Sequence, residues 1–175
     1  KVFKDLISEM GHVHTIIINS GNGHKNPELS WDLEKTAIDV NICGFTALTA
    51  AAFNYFKKSG QGHLAAVSSI AGLRGNRFAP AYSSSKAYIS QYLQGLRQKT
   101  VNEKLDIDIT DICPGFVDTA MAQGDKVFWS APPSKAAGQI FQAMNKRKKT
   151  AYITKRWMLI AWLIKILPDF IYNRI

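Results

Sequence analysis

The chain has 175 residues, 46% of them apolar and 20% charged, an ordinary globular composition with enough length for one domain that buries about 70% of its unfolded surface. Its 22 basic and 13 acidic residues give a net charge of +9, but no helix-turn-helix, zinc-finger or aromatic RNA-binding pattern accompanies the lysines, so nucleic acid is set aside as a partner. Cys43 and Cys113 show neither metal spacing nor a disulfide framework, which points to reduced thiols and a cytoplasmic protein.

Taken in chain order, the elements alternate. Residues 2–10 read as the end of a helix with apolar positions at Val2, Phe3, Leu6 and Ile7, stopped by Gly11. Residues 15–19 form a strand, 30–58 contain one long helix with Asn41 near its middle, and 63–68 form a second strand around the run Leu64-Ala65-Ala66-Val67. A glycine-containing loop, 72–80, leads into a helix over 82–102. A strand over 106–113 follows, with Ile107 and Ile109 alternating, then a helix over 134–145 opened by Pro132-Pro133 and a last strand over 151–154. This βαβα pattern implies an α/β fold, a parallel sheet with helices on both faces. No repeat or linker interrupts it, so 1–175 reads as a single domain.

Tyr82 and Lys86 stand four apart in Ala81-Tyr82-Ser83-Ser84-Ser85-Lys86 and share one face of the predicted helix, so an ammonium sits beside a phenol and favours its ionised form. A free phenol titrates near 10, so about one in a thousand is ionised at neutral pH, and acid/base work at pH 7 needs that value lowered. Lys86 is placed to lower it. Ser68 and Ser69 close the second strand, and the carboxyl ends of strands are where open α/β sheets place ligands. Gly21-Asn22-Gly23-His24-Lys25-Asn26 follows a strand as Gly-x-Gly but has Asn26 where a third glycine would stand, and it reads as a loop after a strand rather than a dinucleotide fingerprint. Hydrolase and metal chemistry find no support: no Gly-x-Ser-x-Gly elbow occurs, His12, His14, His24 and His63 have no evident serine partner, and no metal-ligand motif joins them.

These stretches resemble the short-chain dehydrogenase/reductase family. Thr15-Ile16-Ile17-Ile18-Asn19-Ser20-Gly21 is similar to the family's strand ending in Asn-Ala-Gly, with Ser20 in the alanine position. Asp39-Val40-Asn41-Ile42-Cys43-Gly44 is similar to the helix that carries the active-site asparagine, and Cys113-Pro114-Gly115-Phe116-Val117-Asp118-Thr119 to the Pro-Gly turn after the sixth strand. The order and spacing agree from about residue 13 to 154. The resemblance implies a three-layer Rossmann-type doubly wound parallel sheet, of which this chain is the carboxyl-terminal part. Two further βα units, roughly 60 residues or more, are expected upstream of Lys1, carrying the pyrophosphate cradle and the choice between NAD and NADP. It also implies reversible hydride transfer between a nicotinamide and a small-molecule carbonyl or alcohol, with Tyr82, Lys86, Ser69 and Asn41 as catalytic residues. On that resemblance Tyr82 would exchange the proton, Ser69 would hold the oxygen, Lys86 would lower the tyrosine pKa and hold the ribose, and Asn41 would position a relay water. NAD or NADP would lie against Asn19, Gly21, Tyr82, Lys86, Pro114, Gly115, Val117 and Thr119. The alternative function is a catalytically inactive Rossmann-type binding or regulatory protein.

Further expectations concern surroundings and partners. Phe116, Met121, Phe128 and Trp129 suit either a lid over an apolar or aromatic substrate or packing against the tail. Arg74 and Arg77 either bind a substrate carboxylate or phosphate or remain surface charges. The apolar tail 157–167 is too short for a span, which needs about 20 residues, and is read as a cleft cover, a subunit interface or a peripheral membrane contact. Pairing through the Asn41 and Tyr82 helices would give a homodimer or homotetramer.

Overall fold

Leu64, Ala65 and Ala66 are each 0% exposed, so β2 (Gln61–Val67) is covered on both faces, as an uninterrupted apolar run requires of a central parallel strand. In the computed structural model, in which residues 2–119 and 129–174 are described, β2 lies between β1 (Thr15–Ile18) and β3 (Asp106–Pro114), and β4 (Thr150–Ile153) completes the sheet. All pairings are parallel and the spatial order is β1-β2-β3-β4.

Period-two alternation assigns side chains to the two faces. On one face Leu64, Ala66, Ile107 and Ile109 pack against Phe45, Phe53 and Phe56 of α3 (Phe45–Ser59) and Ile89 and Leu93 of α4 (Pro80–Asn102). On the other, Ala65, Ile112, Ala151 and Ile153 meet Ala136, Ala143 and Met144 of α5 (Pro133–Asn145). The result is the three-layer α/β sandwich of a Rossmann-type fold. Burying a side chain such as Phe56 or Leu93, both 0% exposed, contributes about 1.5–3 kcal/mol, so each layer is anchored by its own cluster.

The long helix expected over 30–58 is interrupted. It runs as α2 (Trp31–Ile38), a π-helical turn (Asp39–Gly44) and α3, with Asn41 buried inside the π turn. The run Trp31–Ser59 is long and apolar enough to cross a bilayer by length and composition, but Phe45, Phe53 and Phe56 belong to the core, which accounts for that composition. α1 (Val2–Met10) precedes β1, and α6 (Trp157–Ile166) and α7 (Asp169–Tyr172) follow β4. Proline at the start of α4 and α5 fits the first helical turn, where a missing N–H leaves no hydrogen bond unmade.

Candidate active site

The carboxyl ends of β1, β2 and β3 bring the sequence-predicted residues together. Beyond β2, Ser69 has extended backbone and caps the short 3-10 turn Ile70–Leu73, its hydroxyl accepting from the Ala71 N–H at 3.1 Å and lying 3.4 Å from the Pro114 carbonyl. The same hydroxyl hydrogen-bonds Tyr82, in the first turn of α4. One turn on, Lys86 is 4% exposed, donates to the Val67 carbonyl at 2.9 Å and lies 5.8 Å from the centre of the Tyr82 ring. The loop after β1 closes the other side. A Cβ at Gly23 would lie 2.5 Å from the Tyr82 ring and one at Gly21 3.2 Å from Lys86 Nζ, so this backbone approaches as only glycine permits.

Asn41 ties these pieces together. Its Oδ1 accepts from the Asn22 N–H at 2.8 Å, and its Nδ2 donates to the Asn22 carbonyl at 2.7 Å and to Ser85 Oγ at 2.9 Å. Both amide donors are thereby engaged in holding the β1 loop against α4. Asn26 acts further along the same loop, where Glu34 accepts from both the Asn26 amide (2.8 Å) and the Ala81 N–H (3.2 Å) at the start of α4. That staple accounts for an asparagine where a phosphate-binding loop would carry glycine.

The electrostatics depart from the sequence expectation. Burial pushes the Tyr82 phenol up, partly offset by its hydrogen bond to Ser69. Lys86 does not reverse this, because its ammonium is itself desolvated and directed at the Val67 carbonyl. Sequence spacing shows that two groups are adjacent but not how dry they are, and here dryness wins. The same desolvation pulls Lys86 down to about 8, against upward pulls from Asp111 and Cys113. The Cys113 thiol is itself pushed up to about 12 by burial and so is neutral at pH 7, which leaves Asp111 as the charge that supports Lys86.

A pH dependence follows from these shifts. Activity that needs cationic Lys86 falls as pH rises through about 8. The folded pKa lies below the ordinary 10.5, so between those values the unfolded chain holds more protons and stability contributed by this group rises with pH. Unfolding is therefore not the cause of the loss. Asp111→Asn, which removes the supporting charge, moves the alkaline limb to lower pH. A kcat–pH profile of the complete protein beside a urea midpoint at each pH checks this, and an unmoved limb in the variant refutes it.

The short chain dehydrogenase family model matches residues 1–127. The chain belongs to the short-chain dehydrogenase family. It is 27% identical over 186 residues to dehydrogenase/reductase SDR family member 7B of Bos taurus, covering 98% of this chain and 57% of that protein. It is 33% identical over 118 residues to an uncharacterized oxidoreductase of Myxococcus xanthus, covering 66% of this chain and 46% of that protein. The chain thus spans about half the length of the curated relatives it matches. Among solved structures, a short chain dehydrogenase from Burkholderia cenocepacia in complex with NADP superposes with a TM-score of 0.82 at 20% identity, covering 97% of this chain and 71% of that one. One from Burkholderia phymatum in complex with NAD gives 0.78 at 18%, with 93% and 68% covered.

Within this short-chain dehydrogenase chain, hydrogen bonds or close approach connect Ser69, Tyr82, Lys86, Asn41, Gly21 and Pro114. Gly115 lies against the Trp157 indole, where a Cβ would come within 2.3 Å, and its N–H donates to the Ile153 carbonyl. Among the described residues no hydrogen bond ties Asn19, Val117 or Thr119 to the cluster. Asn19 and Thr119 are exposed, and Val117 bridges to Ala131. Arg74 is not available to a substrate anion, since it donates to the Leu167 carbonyl at 2.9 Å and pairs with Asp169. Arg77 lies over the Phe78 ring. Phe116 and Trp129 pack edge-on against Trp157, with ring centres 5.6 and 6.2 Å away, which is the tail-packing reading; Met121 and Phe128 lie outside the described residues. A cleft of about 290 Å³ lined by Thr15, Gln61, His63, Asp108 and Arg147 opens at the opposite ends of the strands, so it is not this site.

Three contributors escaped the sequence reading. Asp111 is 4% exposed and accepts from Ser68 Oγ at 2.5 Å, behind Lys86 on the α4 face of the sheet. Alternation with Ile107 and Ile109 marks it as inward-facing, and a carboxylate at such a position is a legible signal. Ser85 and Asn22 are visible only through Asn41, a long-range contact that no local pattern carries.

Proposed function

We propose that the protein transfers hydride reversibly between NAD or NADP and a carbonyl or alcohol carbon of a small molecule. The hydrogen-bonded Ser69–Tyr82 pair beside buried Lys86 carries this reading. The residues at hand suit the nicotinamide end of such a cofactor: Gly21 and Gly23 let the backbone after β1 come up against Lys86 and Tyr82, and Asn19, Gly115, Val117 and Thr119, with Pro114 at the end of β3, lie at the same end of the sheet. The relatives with NADP and NAD bound, both only a fold-level likeness, leave the choice between the two open. When bound, the nicotinamide supplies or accepts the hydride.

The chain's own groups handle the oxygen and its proton. Tyr82 donates its hydroxyl proton to the oxygen in reduction and takes it back in oxidation. Ser69 hydrogen-bonds the same oxygen, where one well-placed donor contributes about 2.7–4 kcal/mol. Lys86, cationic below about pH 8, stabilises the phenolate and holds the ribose hydroxyls. Asn41, with its amide engaged by Asn22 and Ser85, positions the relay water through the backbone of its π turn. Incubating the complete protein with NADH or NADPH deuterated at the transferable position and a panel of ketones and aldehydes tests the reading. Deuterium on the carbinol carbon supports it. Cofactor binding with no transfer to any carbonyl would instead favour the non-catalytic binding protein.

A further inference from the structure

α6 buries Trp157 and Ala161 and little else. Met158, Leu159, Trp162, Leu163 and Ile166 are between 50% and 70% exposed, and Phe170 on α7 is 68% exposed. At 100° per residue the five on α6 share one side of the helix as a stripe.

That stripe is held outward. Arg74 donates to the Leu167 carbonyl, pairs with Asp169 and sits 4.5 Å from the centre of the Tyr172 ring, while the Tyr172 hydroxyl donates to the Gly75 carbonyl at 2.7 Å. Trp157 is wedged against Phe116 and Gly115 on the inner side. Turning the stripe inward would break all of these contacts. Its neighbour β4 ends the sheet on the side away from β1, so strands added at the β1 edge lie far from it.

Charge distinguishes the occupants. The segment 155–174 holds Lys155, Arg156, Lys165 and Arg174 against one acid, Asp169, whose carboxylate is already paired with Arg74. Lys165 falls on one flank of the stripe, while the Arg156 guanidinium donates to the Trp129 and Ser130 carbonyls. A second copy related by a two-fold axis would bring cations against cations with no acid to meet them. A lipid surface with anionic headgroups meets the cations and takes the apolar side chains at the acyl boundary, with Trp162 at the level its amphipathic ring favours. We propose that the outward face of α6 and α7 docks, in the plane of the surface, on a membrane bearing anionic lipid.

Sedimentation of the complete protein with vesicles of phosphatidylcholine, alone or mixed with phosphatidylserine, tests this. Partition onto the mixed vesicles that weakens in high salt is expected, and Leu159→Glu with Trp162→Glu should lower it by about tenfold or more, as should Lys155→Glu with Lys165→Glu. These side chains are exposed, so melting should be unchanged, and the charge-reversed pair reports even where the apolar pair misfolds. Three results overturn the proposal: no partition, partition indifferent to both pairs of substitutions, or a dimer that the apolar substitutions dissociate without any vesicle binding. Hydride transfer is measured separately, so failure here leaves the proposed chemistry untouched.

Discussion

Tyr82→Phe lowers kcat by roughly 10²- to 10⁴-fold while the melting temperature and cofactor affinity stay close to those of the parent protein. The ring sits against the Gly23 backbone, where a Cβ would come within 2.5 Å, and phenylalanine occupies the same space. The substitution therefore leaves packing intact and removes one hydroxyl. Ser69 keeps its contacts with the Ala71 N–H and the Pro114 carbonyl, so its position is retained. Only proton exchange at the substrate oxygen is lost, and Lys86 does not supply it, being directed to the Val67 carbonyl. Steady-state kinetics beside cofactor titration separates the two effects. Turnover equal to that of the parent would remove Tyr82 from the chemistry.

Gly72→Ala acts the other way, through structure first. An added Cβ would lie 2.6 Å from both the Ala87 nitrogen and the Lys86 carbonyl carbon, and 3.0 Å from the Lys86 carbonyl oxygen. These are backbone atoms of α4 and cannot swing aside as a side chain does. Either the 3-10 turn lifts away, carrying Ser69 with it, or α4 shifts at Lys86. Overpacking of this kind destabilises by about 1–3 kcal/mol or more. Urea unfolding should show that loss, with a fall in kcat larger than stability alone explains, since the turn that caps on Ser69 and the turn that carries Lys86 are the surfaces forced apart. A variant with the parent's midpoint would mean that loop and helix do not meet this closely.

The order of elements was legible because each describes itself locally. Leu64-Ala65-Ala66-Val67 is apolar on both faces, as a central parallel strand must be, and Pro132-Pro133 marks the start of α5. The cluster of Ser69, Tyr82 and Lys86 was legible for a related reason: strand ends and helix faces place side chains by counting. What escaped depends on contacts across the fold. Asn41 meets Asn22 nineteen residues away and Ser85 forty-four away, and Arg74 grips Leu167 ninety-three residues on. The direction of the Tyr82 shift was misread because adjacency to a cation was weighed without the burial that opposes it. The π turn was missed because the apolar period of a helix is too coarse to register one additional residue.

That additional residue makes chain length within 39–44 matter more than the identity of most residues there. A π turn fits one more residue than an α turn, so α2 and α3 are out of phase by about 100° and still read as one rod. Dropping any one residue would let the rod close into a regular, locally more favourable helix. The same repair would rotate Asn41 off Asn22, or else carry Glu34 away from the Ala81 N–H at the head of α4. Among working relatives of this protein, insertions and deletions should therefore avoid this turn even where substitutions do not.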